Sequence, residues 1–263
     1  SLAVIGRVKR LKKLQAQTRL KKKTKTVPWK KLSLLEAVPK LNSKYQPPRH
    51  LSKLVAWLER CWSHGGVRVT AHAPPRHGKT ELVLVFLALT IVRHPEWTCA
   101  YVTYEANLAY SKSRKVRAMV EAMGVELVDD ANRLGEWRTK QGGGLLATGI
   151  GGPLTGQGVN VLVVDDPYKN RQQAESAAYQ RTVKDWWADV GRTRLEPKAS
   201  AIVFHTRWVK NDLIGYLHKQ NKKRANDNSE GALWSHVHMP ALDPANDNAA
   251  LWPERYSPAE LLQ

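Results

Sequence analysis

The stretch Ala73-Pro-Pro-Arg-His-Gly-Lys-Thr80 has the spacing of a phosphate-binding loop, with Ala73 where the first glycine is usual. The apolar segment 67–73 predicts a strand before the loop, and the apolar run 80–92 predicts a buried helix after it. Such a loop aims backbone N–H groups and a helix N-terminus at phosphate oxygens. The residues that we expect to bind these phosphates are Pro75, Arg76, His77, Gly78, Lys79 and Thr80.

Three side chains of the loop carry distinct chemistry. Lys79 is placed to reach the β- and γ-phosphates of a nucleotide, and the Thr80 hydroxyl to ligate Mg²⁺. Arg76 adds a second cation that an ordinary turn would not need. The alternative, a proline-rich turn closed by glycine, is less favoured because the loop has the strand and the helix that a phosphate site requires.

Two adjacent carboxylates, Asp165 and Asp166, directly follow the apolar segment 161–164. In nucleotide hydrolases the first acid holds Mg²⁺, and a neighbouring acid positions and deprotonates the attacking water. Successive strand residues point to opposite sides, so we expect one carboxylate to face the metal and the other the water. Asp166 stands where Glu is more common and is one methylene shorter. The other interpretation is a turn, which Asp-Asp-Pro also favours.

Short apolar segments alternate with amphipathic ones along most of the chain. The predicted strands are 67–73, 98–103, 145–148, 161–164, 201–204 and 235–239. The predicted helices are 48–62, 80–92, 107–123, 171–190 and 212–219, and the fourth of them places Trp186-Trp187 in the core. This alternation predicts an α/β fold with a mainly parallel sheet flanked by helices, which binds ligands beyond the carboxyl ends of its strands.

Positive charge is concentrated near the amino terminus. The sequence has 42 Lys+Arg against 23 Asp+Glu, a net charge of +19, and twelve of these cations lie within residues 1–31, which contain no acid. The remaining residues carry only +7. We predict a basic arm over residues 1–44, partly disordered or helical. Three interpretations of this arm remain open. The most favoured is a tail that stays in solvent, and the next is contact with nucleic-acid phosphates through Lys21, Lys22, Lys23 and Lys25. Binding to a membrane surface is the least favoured.

Cysteine and apolar content exclude several classes of protein. Cys61 and Cys99 are too few for a disulfide framework or a structural zinc site. The apolar run 82–92 is far shorter than the roughly 20 residues of a membrane helix, and no secretory signal begins the sequence. We therefore expect an intracellular protein without a membrane span. His236 and His238 share one strand face but lack a third clustered ligand, which predicts ordinary strand histidines.

Four motifs, in order, resemble the ATPase half of the tailed-phage terminase large subunit, a DNA-packaging motor. The loop at 74–80 is similar to the variant Walker A motif of that family, and 149–159 followed by Val161-Leu-Val-Val-Asp-Asp-Pro167 resembles its Walker B region. Residues 194–197 and 204–208, with 211–213 behind them, look like its coupling motif and the helix after it. Tyr45-Gln46-Pro47 stands where the family has an adenine-reading glutamine.

The resemblance runs from about residue 45 to the end of the sequence and implies a RecA-like (ASCE) P-loop ATPase. Such a motor would form a homo-oligomeric ring on a portal protein, with a small terminase subunit as a further partner, and could be a monomer in isolation. It would use ATP and Mg²⁺ to drive double-stranded DNA into a procapsid in the host cytoplasm. The implied roles are adenine recognition by Tyr45 and Gln46, phosphate binding by Arg76 and Lys79, metal binding by Thr80 and Asp165, catalysis by Asp166 with Lys79 and Arg76, and coupling by Thr206.

The sequence departs from that family at two places. Many relatives have an arginine where this chain has Thr155, so the arginine finger is left open among Arg192, Arg194 and Arg207. The family normally continues into an RNase H-like nuclease, whereas this sequence stops at Gln263. We therefore expect an ATPase domain over 45–250, the start of a linker over 251–263, and no nuclease activity.

Two other functions stay open. Another DNA-dependent P-loop ATPase, of helicase or recombination type, would share the motifs, although a helicase needs a second RecA-like domain for which 263 residues leave no room. A nucleotide-dependent DNA-binding or assembly module with little turnover is favoured by the missing finger and by the shorter carboxylate of Asp166.

Overall fold

The computed structural model describes residues 27–128, 135–154, 156, 158–227 and 233–262. The chain divides into two units, Ser1–Lys31 and Leu32–Gln263. In the described part of the first unit, a 3-10 turn spans Trp29–Lys31. The lysines predicted to contact DNA, at positions 21, 22, 23 and 25, lie outside the described residues, and so does Thr155.

A seven-stranded sheet runs through the described part of the second unit. Its strands are β1 (Arg68–His72), β2 (Thr98–Thr103), β3 (Glu136–Arg138), β4 (Gly144–Gly149), β5 (Val159–Asp165), β6 (Leu195–Phe204) and β7 (Ser235–His238). Their order is β3-β4-β2-β5-β6-β1-β7, and every pair is parallel except β3 with β4. The carboxyl ends of β1, β6 and β5 therefore meet at one edge, with β6 in the middle.

Helices cover the sheet. They are α1 (Leu34–Leu41), α2 (Ser52–Ser63), α3 (Lys79–Arg93), α4 (Ala106–Ala122), α5 (Arg171–Glu175), α6 (Ala177–Trp186), α7 (Leu213–Asn226) and α8 (Pro258–Leu261). Helix α3 is apolar on all sides and is buried from Leu82 to Val92, as an all-apolar helix must be. The predicted α/β fold with a mainly parallel sheet is thus confirmed. None of the helices in the described residues is both long and apolar enough to cross a membrane.

The single long helix predicted over 171–190 is wrong, because the chain breaks at Ser176. The Ser176 hydroxyl oxygen accepts a hydrogen bond from the N–H of Tyr179 and so begins α6 anew. Beyond α6, the chain widens into a π-helical turn, Trp187–Gly191. Trp186 and Trp187 are both buried, as predicted.

Residues ahead of the predicted domain boundary at position 45 also belong to the second unit. Helix α1 begins with a capping box between Ser33 and Glu36 and buries Leu34, Ala37 and Val38. The backbone N–H of Leu34 donates to Glu59 of α2 at 2.6 Å. Pro39 lies inside this helix, although a proline normally disfavours a helix. The basic arm predicted over residues 1–44 therefore includes a structured helical segment.

The sequence did not predict a small hairpin, in which β8 (Leu242–Asp243) pairs with β9 (Ala249–Ala250).

Candidate active site

The phosphate loop lies between β1 and α3, at the carboxyl edge of the sheet. Gly78 has a φ of 79°, and its carbonyl oxygen accepts a 2.8 Å hydrogen bond from the Tyr45 hydroxyl. A Cβ at Gly78 would lie 2.1 Å from that hydroxyl oxygen, so glycine is required here. No side chain caps α3, and its first N–H groups therefore stay available to an anion.

Lys79 is the buried cation of the site. The residue is 5% exposed, and its ammonium group donates to the carbonyl oxygens of Ala73 at 2.8 Å and Pro74 at 2.7 Å. Burial lowers the pKa of Lys79, while the charges of Asp166 and Asp165 act in the opposite direction. The lysine therefore lies within electrostatic reach of both acids.

Asp165 ends β5 as a buried carboxylate, 2% exposed. Its Oδ2 accepts a 2.6 Å hydrogen bond from the Tyr101 hydroxyl on β2, whereas its Oδ1 has no hydrogen-bond partner within the described residues. Burial is the main cause that raises the pKa of Asp165 to about 7, and the charge of Asp166 adds to it. Tyr101, the Thr80 hydroxyl and Lys79 lower it. The carboxylate is held in place on one oxygen and unsatisfied on the other.

Asp166 has a backbone conformation that the sequence did not predict. It follows β5 with a φ of 44°, so the alternation of side chains along a strand does not set its direction, and which carboxylate faces a metal and which a water stays a prediction. Its N–H donates to Phe204 at 3.1 Å, and its carbonyl oxygen accepts from the N–H of Tyr104 at 3.2 Å. Its Oδ1 accepts a 3.2 Å hydrogen bond from the backbone N–H of Thr206, just beyond β6. The second acid and the predicted coupling threonine are thus in direct contact.

The chain after Thr206 leads from this contact into α7. The Arg207 guanidinium donates to Asp212 Oδ2 at 2.5 Å. Asp212 is buried, and its Oδ1 accepts a 2.9 Å hydrogen bond from the N–H of Gly215 as the N-cap of α7. A short chain of bonded residues therefore joins Asp166 to the start of this helix. It also engages Arg207, one of the three finger candidates, within its own domain.

Several aromatic rings pack against the phosphate loop at His77. His77 is buried, and its ring stacks on Tyr256 with centroids 5.0 Å apart. The His50 ring forms a 2.9 Å hydrogen bond with the carbonyl oxygen of His77 and stacks on Trp252 at 4.1 Å. Residues 252 and 256, which the sequence predicts to begin a linker, therefore contact the loop itself.

Other predicted site residues lie at the surface. Arg76 is exposed with a φ of 59°, and its guanidinium makes no ion pair with any described carboxylate. Gln46, beside the buried Tyr45, is exposed. Arg192 and Arg194 are exposed and precede β6, so they lie at the amino ends of the parallel strands. The structure does not bring these two arginines to the phosphate loop of their own chain.

The residues of the site suit a phosphate and a divalent cation. Lys79 and the uncapped start of α3 supply positive charge for phosphate oxygens. The unpaired Oδ1 of Asp165, with Thr80 nearby, supplies the oxygen ligands that Mg²⁺ prefers. The described residues contain no group of three or more His, Cys, Asp or Glu that could hold a metal. Mg²⁺ would therefore complete its shell with phosphate and water oxygens, as it commonly does.

Sequence reasoning missed Tyr101, His50 and Trp252. Tyr101 lies within the segment Thr-Cys-Ala-Tyr-Val-Thr, which the sequence presents only as a buried strand. The register of β2 against β5 pairs Tyr101 with Val163, two positions before Asp165, and only this pairing shows what the hydroxyl bonds. Aromatic residues on each side of the loop are a weak signal, since nothing in their spacing relates them to it.

A phosphate loop after β1, a carboxylate pair at the end of β5 and a threonine after the strand between them define a RecA-like P-loop ATPase. Among solved structures, a point mutant of the large terminase ATPase domain of Thermus phage P74-26 is similar, with a TM-score of 0.53 and 14% identity over 85% of this chain and 90% of that chain. A second structure of that domain has a TM-score of 0.47 and 14% identity over 73% of this chain and 80% of that one. The DEAD-box helicase Mss116, bound to single-stranded RNA and UDP-BeF, has a TM-score of 0.47 and 12% identity over 83% of this chain and 47% of its own. The first of these likenesses, at 14% identity, shows the fold alone.

The family is shown by sequence. The family model for the N-terminal part of terminase large subunits of the T4-like-virus type matches residues 71–257. The chain therefore belongs to the terminase large subunit family, as an ATPase domain of phage DNA packaging. No curated protein matches the sequence.

Proposed function

We propose that this domain hydrolyses ATP and uses the energy to move double-stranded DNA into a procapsid. The observation that carries the proposal is the meeting of Lys79, Asp165 and Asp166 at one edge of the sheet, with Asp166 bonded to Thr206. A buried cation, a partly unsatisfied carboxylate and a second, oriented carboxylate are the parts that phosphoryl transfer to water needs.

Each residue in this arrangement has a distinct task. The Lys79 ammonium and the N–H groups at the start of α3 bind the β- and γ-phosphates, and Arg76 adds charge at the mouth of the loop. Thr80 and Asp165 hold Mg²⁺, which neutralises charge on the phosphate oxygens when it is bound. Asp166 orients the attacking water and accepts its proton. The hydrogen bond from Thr206 keeps that carboxylate in position.

Family membership supports a packaging assembly around this chemistry. We propose a homo-oligomeric ring on the portal, with the small terminase subunit as a partner, acting in the host cytoplasm. Arg192 and Arg194 lie at the edge opposite their own loop, so either would act as a finger on the nucleotide of a neighbouring subunit. We place adenine beside Tyr45 and Gln46, since the Tyr45 hydroxyl is bonded to the loop.

Nuclease activity is not expected from this chain. An RNase H-like site uses clustered carboxylates to hold two metal ions. The described residues contain no group of three or more acidic, histidine or cysteine side chains that could hold one.

Steady-state phosphate release tests the ATPase proposal. We expect Asp166→Asn to lower turnover about 100-fold or more, because it removes the acceptor of the water proton. Lys79→Ala should lower it by on the order of 100-fold to 1000-fold, because it removes charge stabilisation at the phosphates. The matched controls, Asp189→Asn and Lys53→Ala, alter exposed side chains away from the loop and should keep wild-type turnover. Equal, slow release by wild type and both site variants would show that the proposal is wrong.

The assembly module without turnover is the second candidate, favoured by the short side chain of Asp166. Equilibrium binding of a fluorescent ATP analogue, measured at protein concentrations high enough for ring formation, separates the two functions. Binding that depends on Lys79, with no phosphate release by any variant, would assign the module. Binding with release that depends on Asp166 assigns the motor.

A further inference from the structure

A groove lies between α6 and α7, and no residue of the phosphate loop lines it. Two adjoining cavities of about 330 Å³ and 400 Å³ form it, and they share Ala188 and Tyr216 as lining residues. The first cavity reaches Arg68 and Leu195, which are the first residues of β1 and β6. The first cavity therefore opens at the amino edge of the sheet, whereas the second extends along α6 and α7 to Asn211, just before the start of α7.

The lining of this groove is strongly cationic. Its charged side chains are Arg68, Arg181, Lys184, Arg192 and Arg224, against the single acid Asp185. None of the five cations forms an ion pair with a described carboxylate. Elsewhere, the half-buried Arg117 and the exposed Arg171 do have glutamate partners. The groove thus holds positive charge that the chain itself leaves uncompensated.

Arg68 is the most constrained of these cations. It is half-buried, and its guanidinium donates to the carbonyl oxygens of Ala199 and of Val67, the latter at 3.2 Å. Burial lowers the pKa of Arg68. Burying a charged guanidinium with only neutral acceptors costs free energy, and a bound anion would offset this cost. The position of Arg68 therefore favours a negatively charged ligand.

The floor of the groove is built from packed aromatic residues. Trp187 is buried and meets Trp234 edge to face, with centroids 5.4 Å apart. Asn221 of α7 fixes Trp234 through two hydrogen bonds, of 2.6 Å to its carbonyl oxygen and 3.0 Å from its N–H. A rigid floor of this kind holds the surrounding cations in fixed relative positions, and the buried ring of Trp187 is not available to stack on a base.

We propose that this groove binds the phosphate backbone of double-stranded DNA, an inference that rests on the proposed packaging function. Helix α6 has 10 residues, which at 1.5 Å per residue give a groove of about 15 Å. One DNA strand carries a phosphate about every 3.4 Å along the axis, so about four phosphates face the groove. Cations spread along a groove suit such a repeating anion better than a compact one. Contact with phosphates alone is independent of base sequence, as a packaging motor requires.

The proposal also gives Arg192 a use other than that of an arginine finger. It lines the groove together with Arg224 near the end of α7. At the start of α7, Asp212 is bonded to Arg207, which directly follows Thr206. The backbone N–H of Thr206 in turn donates to Asp166. One wall of the DNA groove is therefore the helix that begins next to the catalytic carboxylate.

Duplex binding across a salt series tests the groove. The whole chain is titrated, without nucleotide, against a short fluorescein-labelled duplex of mixed sequence, and binding is followed by anisotropy. Arg181→Glu with Arg224→Glu should make the slope of log K against log salt shallower by about 2, because each phosphate contact contributes about 0.9. The control, Lys44→Glu with Lys53→Glu, makes the same change in net charge on exposed residues outside the groove, and should keep the wild-type slope. Asp185→Asn should tighten binding.

Thermal midpoints and a milder pair, Arg181→Gln with Arg224→Gln, separate loss of contact from loss of fold. A folded groove variant with the wild-type slope overturns the proposal. Direct binding of polyglutamate that the groove substitutions abolish, while duplex binding stays unchanged, also overturns it and assigns the groove to an acidic protein partner. Because the assay contains no nucleotide, its result stands whether or not the wild type hydrolyses ATP. Failure of the ATPase proposal is seen separately, in phosphate release.

Discussion

At the carboxyl edge of the parallel sheet, Lys79 lies close enough to Asp165 and Asp166 for their charges to shift its pKa. At the amino edge, Arg68 and Arg192 line a groove in which no described carboxylate pairs with them. The first arrangement compensates its charges internally, while the second leaves them to an external anion. Internal compensation holds groups in fixed positions for chemistry, and uncompensated charge attracts a ligand from solution.

Substitutions should therefore be able to remove the function of either edge without affecting the other. Substitutions at the carboxyl edge should abolish turnover and leave the salt dependence of DNA binding unchanged. The groove variants should change that salt dependence. Three further substitutions sharpen this contrast.

Gly78→Ala should have the largest effect. The added Cβ would lie 2.1 Å from the Tyr45 hydroxyl, on a backbone with φ of 79°, so the loop must shift. A displacement of about 1 Å in a catalytic site can cost about 100-fold in rate, and we expect at least that loss in phosphate release. Gly124→Ala is the matched control, because Gly124 has a φ of 89° but no atom within 4 Å of an added Cβ. It should cost about 1 kcal/mol of stability and leave turnover intact. Equal losses in both variants would mean that contact with Tyr45 does not fix the loop.

Tyr101→Phe should have an intermediate effect. It removes the 2.6 Å hydrogen bond to Asp165 Oδ2, while the other oxygen of that buried carboxylate already has no hydrogen-bond partner within the described residues. Loss of a partner that orients a metal ligand typically costs about 10-fold to 100-fold, so we expect a fall of this size together with a higher Mg²⁺ concentration for half-maximal activity. Tyr179→Phe, a half-buried tyrosine outside the site, is the control. An unchanged Mg²⁺ requirement in Tyr101→Phe would refute the positioning role.

The smallest effect concerns histidines around the ends of β1 and β7. His72 packs against His236 and His238, and the Thr70 hydroxyl bonds His236 and His218. Burial, with neighbouring imidazoles and Arg207, lowers the pKa of His72 to about 3 and of His236 to about 4, from an ordinary 6.5. As the pH falls, the unfolded chain therefore binds protons on these histidines before the folded chain does. The free energy of unfolding should decrease as the pH drops below about 6.5 towards 4.

Urea unfolding at neutral and mildly acidic pH measures this dependence. His72→Phe removes one of the histidines whose pKa is lowered and should flatten the dependence without altering phosphate release at neutral pH. Because His72 is only partly buried, water screens the effect, and a shift of the unfolding midpoint is the suitable readout. A steeper acid loss in His72→Phe than in wild type would contradict the assignment.

The parts of the site that the sequence predicts are those encoded locally. The spacing around Lys79 and the acids after β5 follow from short segments, each with its own strand. The left-handed backbone of Asp166 could not be predicted, because it depends on hydrogen bonds with Phe204 at the end of β6 and with Tyr104 just after β2. The role of Tyr101 depends in the same way on sheet register.

The helix predictions were wrong where two local sequence signals favoured different structures. Residues 171–190 have a continuous helical pattern, but the Ser176 hydroxyl satisfies a backbone N–H and restarts the helix. Pro39 lies within α1, whose burial against the domain outweighs its poor propensity. The groove could not be found from sequence at all, since Arg68, Arg181 and Arg224 come from three distant segments.

Helix α7 begins at the Asp212 cap and carries Arg224 near its other end. Twelve residues separate these two positions, a length of about 18 Å at 1.5 Å per residue. A rotation of about 10° at the Asp212 pivot would move the arginine by about 3 Å, close to the rise of about 3.4 Å per base pair. Under the proposed function, a rotation of α7 by that angle would match the length of one base pair of DNA.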